Sequence, residues 1–453
     1  MAALVLNSVI GTGVFLKARV MICNVGTPGA VMAVWVVAGL LSLAGTLAYA
    51  ELSTLMPRSG GEYSFLGAAY GRFTAFLFGW TKTVAGPASD AAVAIVFAIF
   101  LNDLLGGRLS GLSMRLVPVL ALAVSAAMNL AAVRTSGHVS TALTAMKVAL
   151  VAGVGVAAFV FGDGQFEGLW ARGDGGTCAG VEPGAMGGLS GFGAAMLGAL
   201  WGYQGWNNLV AVGGEVADPG RTLPRALFGG MAVVMALYLL LNAAYFWVLT
   251  PVEVASVPAD SSVAYEMASR FLGSHAAVIM AVGLMISSFG TLFVAQLTGA
   301  RVPFALARDG LLPRSLAAVS VRRVPAVSIV FKALLGMVFA VSGSFDSLTD
   351  MYVFVLWIFY GMTGLSLFVL RRRFPDVERP CRAWGYPLVP GLFLVVTAFL
   401  LVNAFIAAPL PALSGLGLIL SGIPVYRYHS RRTPPSAAAD WLGGDERVTD
   451  RDS

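Results

Sequence analysis

Charge is scarce in this chain. Asp, Glu, Lys and Arg make up 11% of its 453 residues, against about a quarter in ordinary soluble domains. With 58% hydrophobic residues and a mean hydropathy of +0.81, that scarcity excludes a soluble globular protein. Histidine is nearly missing: His138, His275 and His429 lie far apart, and neither HExxH nor GxSxG occurs. Intramembrane enzyme chemistry needs paired aspartates, a metal-binding histidine set or a nucleophile motif, so no enzyme, metal or cofactor is expected. GxxxxGK[ST] is also absent, which removes an ATP-driven pump. The three cysteines cannot form a disulfide framework. Cys23 and Cys178 fall on the same outer side in the topology below, yet they read as unlinked thiols.

Long apolar runs are what the sequence does have. A spanning helix needs about 20 mostly apolar residues, and about twelve stretches qualify: 2–23, 28–55, 73–104, 113–133, 138–161, 190–213, 223–249, 275–306, 324–342, 346–370, 386–407 and 409–427. The first lacks a charged n-region and a cleavage site, so it is not a signal peptide. It starts at Met1 with no tail before it, which leaves open a misplaced start codon and the contacts of an inner gate. With the N-terminus inside, inner loops and tail hold 20 arginines, outer loops hold six Lys or Arg, and Lys82, Lys147 and Lys332 stay within helices. The net charge of +6 is thus a topology signal, not a nucleic-acid surface. Both termini are expected in the cytoplasm of a multi-pass plasma or inner membrane protein. Two outer loops are long. Residues 162–188 read as flexible and glycine-rich, and 250–274 as carrying a short amphipathic helix over the mouth. The tail after Pro434 reads as disordered.

Two of the runs are interrupted at mid-depth. "LVLNSVIGTGVFL" (4–16) carries Gly11, Thr12 and Gly13, and "AMLGALWGYQGWNNLVAVGGE" (195–215) carries Gly202, Tyr203, Gln204 and Gly205. Glycine costs about 1 kcal/mol against alanine inside a helix. Paired Gly-interrupted spans in corresponding positions point to a transporter binding site at the membrane midplane. Unwound backbone cannot stay unpaired in lipid. Freed N–H groups at a half-helix start attract a carboxylate, and freed carbonyls accept from an ammonium. An amino acid zwitterion offers both. The competing reading is that these glycines serve close helix packing.

The chain here resembles the amino acid–polyamine–organocation superfamily. "IGTGVF" stands at its first break, and "YAELSTLMPRSGGEYSFLGAAYG" (49–71) matches the connection after its second helix. "YQGWNN", "GEVADPGRTLPRAL", "ALARDGLLP" and "RRRFPDVERPCRAWGYPLVP" follow in order. The subgroup is similar to the L-type transporters and their bacterial relatives. The resemblance implies an all-α integral membrane protein of about twelve transmembrane helices with a LeuT-type 5+5 inverted repeat. It divides into repeats 1–161 and 190–370, an outer loop 162–189, helices eleven and twelve in 371–427, and a tail 428–453. It also implies that the substrate carboxylate lies on the N–H groups of Gly11, Thr12 and Gly13. The ammonium would meet carbonyls around Val9, Ile10, Trp201 and Gly202, with Trp201 as gating aromatic; the alternative for Trp201 is a ring at the lipid interface. Trp201, Tyr203, Gly205, Asn207 and the third helix would shape a pocket for neutral amino acids.

Lys147 sits about ten residues into helix five, where an ammonium costs a few kcal/mol. In the subgroup it occupies the space of a sodium ion and links helix one to helix eight near Ser287, which implies sodium-independent transport. Snorkelling to the interface is the alternative. Asp90 is open: it could bind a cationic side chain, carry a proton, or pair with Lys82, which is about 12 Å away along a helix and poorly placed. Lys82 departs from the family pattern and has no account. Glu51 and Glu215 read as loop anchors, with Arg58 or Arg225 as partners. The function expected is amino acid transport by exchange or proton symport, across a lipid bilayer and without an obligatory protein partner. A cationic amino acid or polyamine carrier and a non-transporting sensor are the rivals.

Overall fold

The structure is a computed structural model, and it describes residues 2–56, 61–131, 137–164, 171–173, 175–215, 218–320 and 324–431. No strand occurs among them. Residues 10–12 separate α1 (Ala2–Val9) from α2 (Gly13–Val25), so the first apolar stretch is two half-length helices. α2 stops at Gly26, whose φ of +80° lets its N–H close on Ile22 O, the left-handed ending that glycine favours. α3 (Pro28–Leu55) begins with proline in its first turn and with Thr27 Oγ1 accepting the Ala30 N–H, two start signals that together fix the turn. Then come α4 (Glu62–Tyr70), α5 (Arg72–Val84), α6 (Gly86–Leu104), α7 (Leu112–Ala131) and α8 (Gly137–Phe161).

The sixth stretch is also divided. α9 (Gly188–Gly202) ends where its pattern predicted, and Trp206–Glu215 continues as a 3-10 turn. The remainder is α10 (Pro219–Val248), α11 (Pro251–Ser256), α12 (Val263–Gly299), α13 (Arg301–Arg308), α14 (Ala326–Ser342), α15 (Phe345–Arg373), α16 (Leu388–Ala407), α17 (Pro409–Leu420) and α18 (Gly422–Ser430). Among the described residues, nine segments are long and apolar enough to cross a membrane. The first and sixth stretches are not among them because each is broken, and α14 has 17 residues. α2 packs on α9, α3 on α10, α6 on α12 and α7 on α14, while α1 lies between α8 and α10.

The outer loops correct two expectations. Of the first loop, residues 165–170 and 174 lie outside the described residues, and the rest is tied down: the Gly173 N–H donates to Gly26 O, Cys178 N–H to Ala255 O, and Gly187 N–H to Asn24 O. Cys23 and Cys178 are joined in a disulfide, not left as thiols. The cause is this folding back of the loop onto the outer end of α2, which brings together residues 155 apart in sequence. In the second loop α11 is the short helix, capped by a reciprocal Thr250–Glu253 box. α12 starts early, at Val263, and turns at Gly273 (φ +70°). The tail beyond Arg431 lies outside the described residues.

Candidate functional site

The two breaks meet. A Cβ on Gly13 would stand 2.8 Å from Trp201 Cδ1 and 2.9 Å from Gly202 Cα, and one on Gly202 would run into the Trp35 ring. Gly205, at φ +117°, faces the Ser8 carbonyl across the same seam. Close packing and unwinding are therefore one device here: small residues let the two unwound backbones touch. α2 begins at Gly13, so its first N–H groups lack the carbonyls of a preceding turn. The Thr12 hydroxyl, 5% exposed, has no hydrogen-bond partner. Val9 and Ile10 are buried beside it and Gly11 is partly open. On the opposite wall Tyr238 of α10 holds its hydroxyl 2.9 Å from both Val9 O and Gly202 O. One hydroxyl proton serves one of these acceptors at a time.

Trp201 covers one face of the seam, with its ring edge-on to Phe345 (6.3 Å) and Tyr352 (6.0 Å) of α15. It is 7% exposed and so does not stand at a lipid interface. Beyond it, Lys17 Nζ donates to Asp346 (2.7 Å) and Thr349 (2.8 Å) and lies 3.5 Å from Asp350, while Arg19 Nη2 reaches the other Asp346 oxygen at 3.1 Å. A cavity of about 410 Å³ opens above this cluster between Arg19, Arg115, Ser344 and Asp346; it excludes the broken segments. Lys147 Nζ, buried in α8, donates to Thr291 Oγ1 of α12 at 2.8 Å and lies 3.4 Å from Asn7 O of α1.

A profile described as amino acid permease matches residues 1–425. The chain belongs to the amino acid permease family. It is 31% identical over 427 residues to the serine/threonine exchanger SteT of Bacillus subtilis, covering 93% of this chain and 94% of that protein. The b(0,+)-type amino acid transporter 1 of Mus musculus is 29% identical over 429 residues (93% and 85% covered). The large neutral amino acids transporter small subunit 2 of Oryctolagus cuniculus is 32% identical over 432 residues (93% and 78%). This permease is thus a multi-pass membrane protein of amino acid transport and not an enzyme.

Several expected partners of the permease are replaced by others. Thr291, one turn beyond Ser287, is the residue that Lys147 meets; the Ser287 carbonyl accepts the Thr291 hydroxyl at 3.0 Å. Asp90 pairs with Lys332 of α14 at 2.8 Å and not with Lys82, and Lys332 also donates to Ala295 O at 2.7 Å. Lys332 reaches across from a neighbouring helix, whereas Lys82 would have to reach along its own. Lys82 lies with its ammonium 5.8 Å from the Phe78 ring centre. Glu51 is an anchor, and its partners among the described residues are Arg371 (2.8 and 2.5 Å), Arg379 (3.2 Å) and the Ala383 N–H (2.7 Å), not Arg225. Arg225 is exposed; Arg58 and the Glu215 side chain fall outside the described residues.

Tyr203 and Asn207 sit behind the seam. Tyr203 is fully buried against Trp35 and Tyr238 and donates to Trp35 O at 3.1 Å. Asn207 donates to Glu62 of α4 and accepts from the Tyr360 hydroxyl at 3.0 Å. Sequence reasoning passed over Tyr238 and Thr291, and it counted Lys17 and Arg19 with the outer-loop charges, whereas both lie buried within α2 because they pair with Asp346. Lys17 left a usable signal, an ammonium inside the apolar run 2–23.

Proposed function

We propose that this permease is a sodium-independent secondary transporter of neutral amino acids that works by alternating access, through exchange or proton-coupled uptake. The observation that carries this reading is the contact of the two breaks around unspent polar groups: the buried Thr12 hydroxyl, the first N–H groups of α2, and two carbonyls sharing one Tyr238 hydroxyl. A zwitterion supplies what these groups lack, with its carboxylate on the N–H side and its ammonium on the carbonyl side. Two relatives' names, serine/threonine exchanger and large neutral amino acids transporter, agree in substrate class.

Sodium independence is supported by the Lys147 ammonium standing between α1 and α12. Two inverted five-helix repeats, 1–161 and 190–370, within twelve spans are supported by the packing of α2 on α9, α3 on α10 and α7 on α14, each a helix against its counterpart. A cytoplasmic location of both termini is supported by the arginine distribution and by a disulfide on the opposite side, since such bonds persist in oxidising compartments. That bond also uses both outer cysteines, which favours a carrier without a disulfide-linked partner. A cationic or polyamine substrate is disfavoured because Lys332 occupies the Asp90 carboxylate.

The test is counterflow in proteoliposomes without sodium and at equal pH on both sides. Vesicles loaded with unlabelled L-serine, L-threonine and L-leucine should accumulate the same labelled amino acids, and unloaded vesicles should not. Failure of every amino acid, with folded protein, overturns the transport reading in favour of a sensor or an amine carrier.

A further inference from the structure

Two acids lie eleven residues apart on the inner side, and only one is neutralised. Glu51 has two arginines and a backbone N–H. Glu62, at the start of α4 and 4% exposed, has no ion-pair partner among the described residues. Its side-chain donor is the Asn207 amide. From there a single chain of hydrogen bonds runs back to the break of helix six: Tyr360 O–H donates to Asn207 Oδ1 at 3.0 Å, and Gln204 Nε2 donates to Tyr360 O at 2.5 Å. A carboxylate only accepts, so an ionised Glu62 dictates the direction of every donor in that chain.

We propose that Glu62 is a proton-binding residue of this permease, which takes up one proton per transport cycle and passes its protonation state along Asn207 and Tyr360 to Gln204 at the break. This rests on the transport reading above. The proton comes from water and adds to a Glu62 oxygen, turning an acceptor into an O–H donor; no other reactant is needed. With the proton on Oε1, the oxygen that accepts from Asn207 Nδ2, two donors face each other and the Asn207 amide turns over. Its Nδ2 then donates to Tyr360, the Tyr360 O–H turns to Gln204, whose amide turns as well so that its Oε1 accepts, and the break receives the opposite polarity. Helix six and α4 lose their charge-assisted bond at the same time, and such bonds are about twice as strong as neutral ones.

The surroundings fit a group that changes charge. On α5, Lys82 is the cation acting on Glu62, which gives that lysine the account it lacked; Arg72 sits at the far end of α5 with Asp309 O. On α15, Tyr360 is in the chain, and Arg373 is turned to Ala68 O. Tyr49 of α3 is buried beside them with its hydroxyl unpartnered. Tyr63, next in sequence, faces Asp309. Burial pushes the Glu62 carboxyl up, and the Lys82 charge, its own N–H and the Asn207 amide pull it down without cancelling that push.

The experiment uses the full chain in sodium-free proteoliposomes with a pH-sensitive dye inside and L-serine, L-threonine and L-leucine as probes. With the outside acid, the wild type should accumulate label toward about tenfold per pH unit and acidify the lumen on substrate addition. Glu62→Gln should lose both, with labelled-for-unlabelled exchange persisting. Exchange by the wild type with no lumen acidification overturns the proposal and leaves the transport reading standing; so does gradient-driven accumulation by Glu62→Gln. Absence of any exchange overturns both. Where Glu62→Gln does not fold, an apolar carbodiimide, which adds to protonated carboxyl groups, is the second probe. It should modify Glu62 in the wild type increasingly as pH falls, and a Glu62 peptide unmodified at every pH overturns the assignment.

Discussion

On the outer side of the breaks, α2 meets α15 through charge: Lys17 and Arg19 against Asp346 and Asp350, with Thr349 between. On the inner side, the continuation of helix six meets α4 and α15 through amides, a phenol and one carboxylate. Both contacts tie a broken stretch to its neighbours, but they respond to different things. The outer cluster balances two bases with two acids and is screened little by salt because its lysine is 1% exposed. The hydrogen-bonded chain of the other contact ends on a single carboxylate, Glu62, and on the proposal above its strength follows protonation. Opening the first contact means separating ions, and opening the second means reordering hydrogen bonds.

The comparison can be broken or sharpened by substitution. Gly13→Leu has the largest expected effect, because any Cβ there strikes Trp201 and Gly202. It should force the breaks apart and abolish substrate binding and uptake; wild-type uptake would remove the site from this seam. Lys147→Ala comes next: folded protein by size-exclusion chromatography, with transport lowered at least about tenfold as α1 and α12 lose their common ammonium. Unchanged sodium-free transport would make Lys147 only structural.

Lys17→Met tests the outer closure alone. Breaking a buried pair costs about 3 kcal/mol or more, so thermal melting in detergent should fall, and the loss should differ little between low and high salt. Tyr360→Phe tests the inner one. It removes one donor and one acceptor, worth about 1 kcal/mol each, and should shift the pH profile of uptake with only a few-fold loss of rate. Glu253→Gln, on the outer rim, should change stability by about 0.5 kcal/mol at most, since its pair with Arg270 is exposed. The Thr250 N–H and hydroxyl, with Arg270, hold the Glu253 carboxyl below its ordinary value. Its contribution is present above that ordinary value and fades as pH falls through the lowered one. Melting of wild type and variant should therefore converge in acid.

Hydropathy, the arginine distribution and the paired glycine interruptions were legible in the sequence because each is a local property. A run of about 20 apolar residues must span whatever surrounds it, and Gly11–Gly13 or Gly202–Gly205 weakens a helix by its own composition. α9 ends at Gly202, within the predicted break, for that reason. Spacing along one helix could also argue against an Asp90–Lys82 pair.

What joined to what was decided by the tertiary structure alone. Lys147 meets Thr291 across 144 residues, Asn207 meets Glu62 across 145, and Cys23 meets Cys178 across 155. Asp90 and Lys332, both nearly out of contact with solvent, come together from different helices. A buried charge must find a partner, so the sequence of this protein determined that Asp90 and Lys147 needed one once they lay inside an apolar bundle. It could not name the partners, because a partner is chosen by which helix faces which at a given depth. That register depends on side-chain packing between segments far apart in the chain.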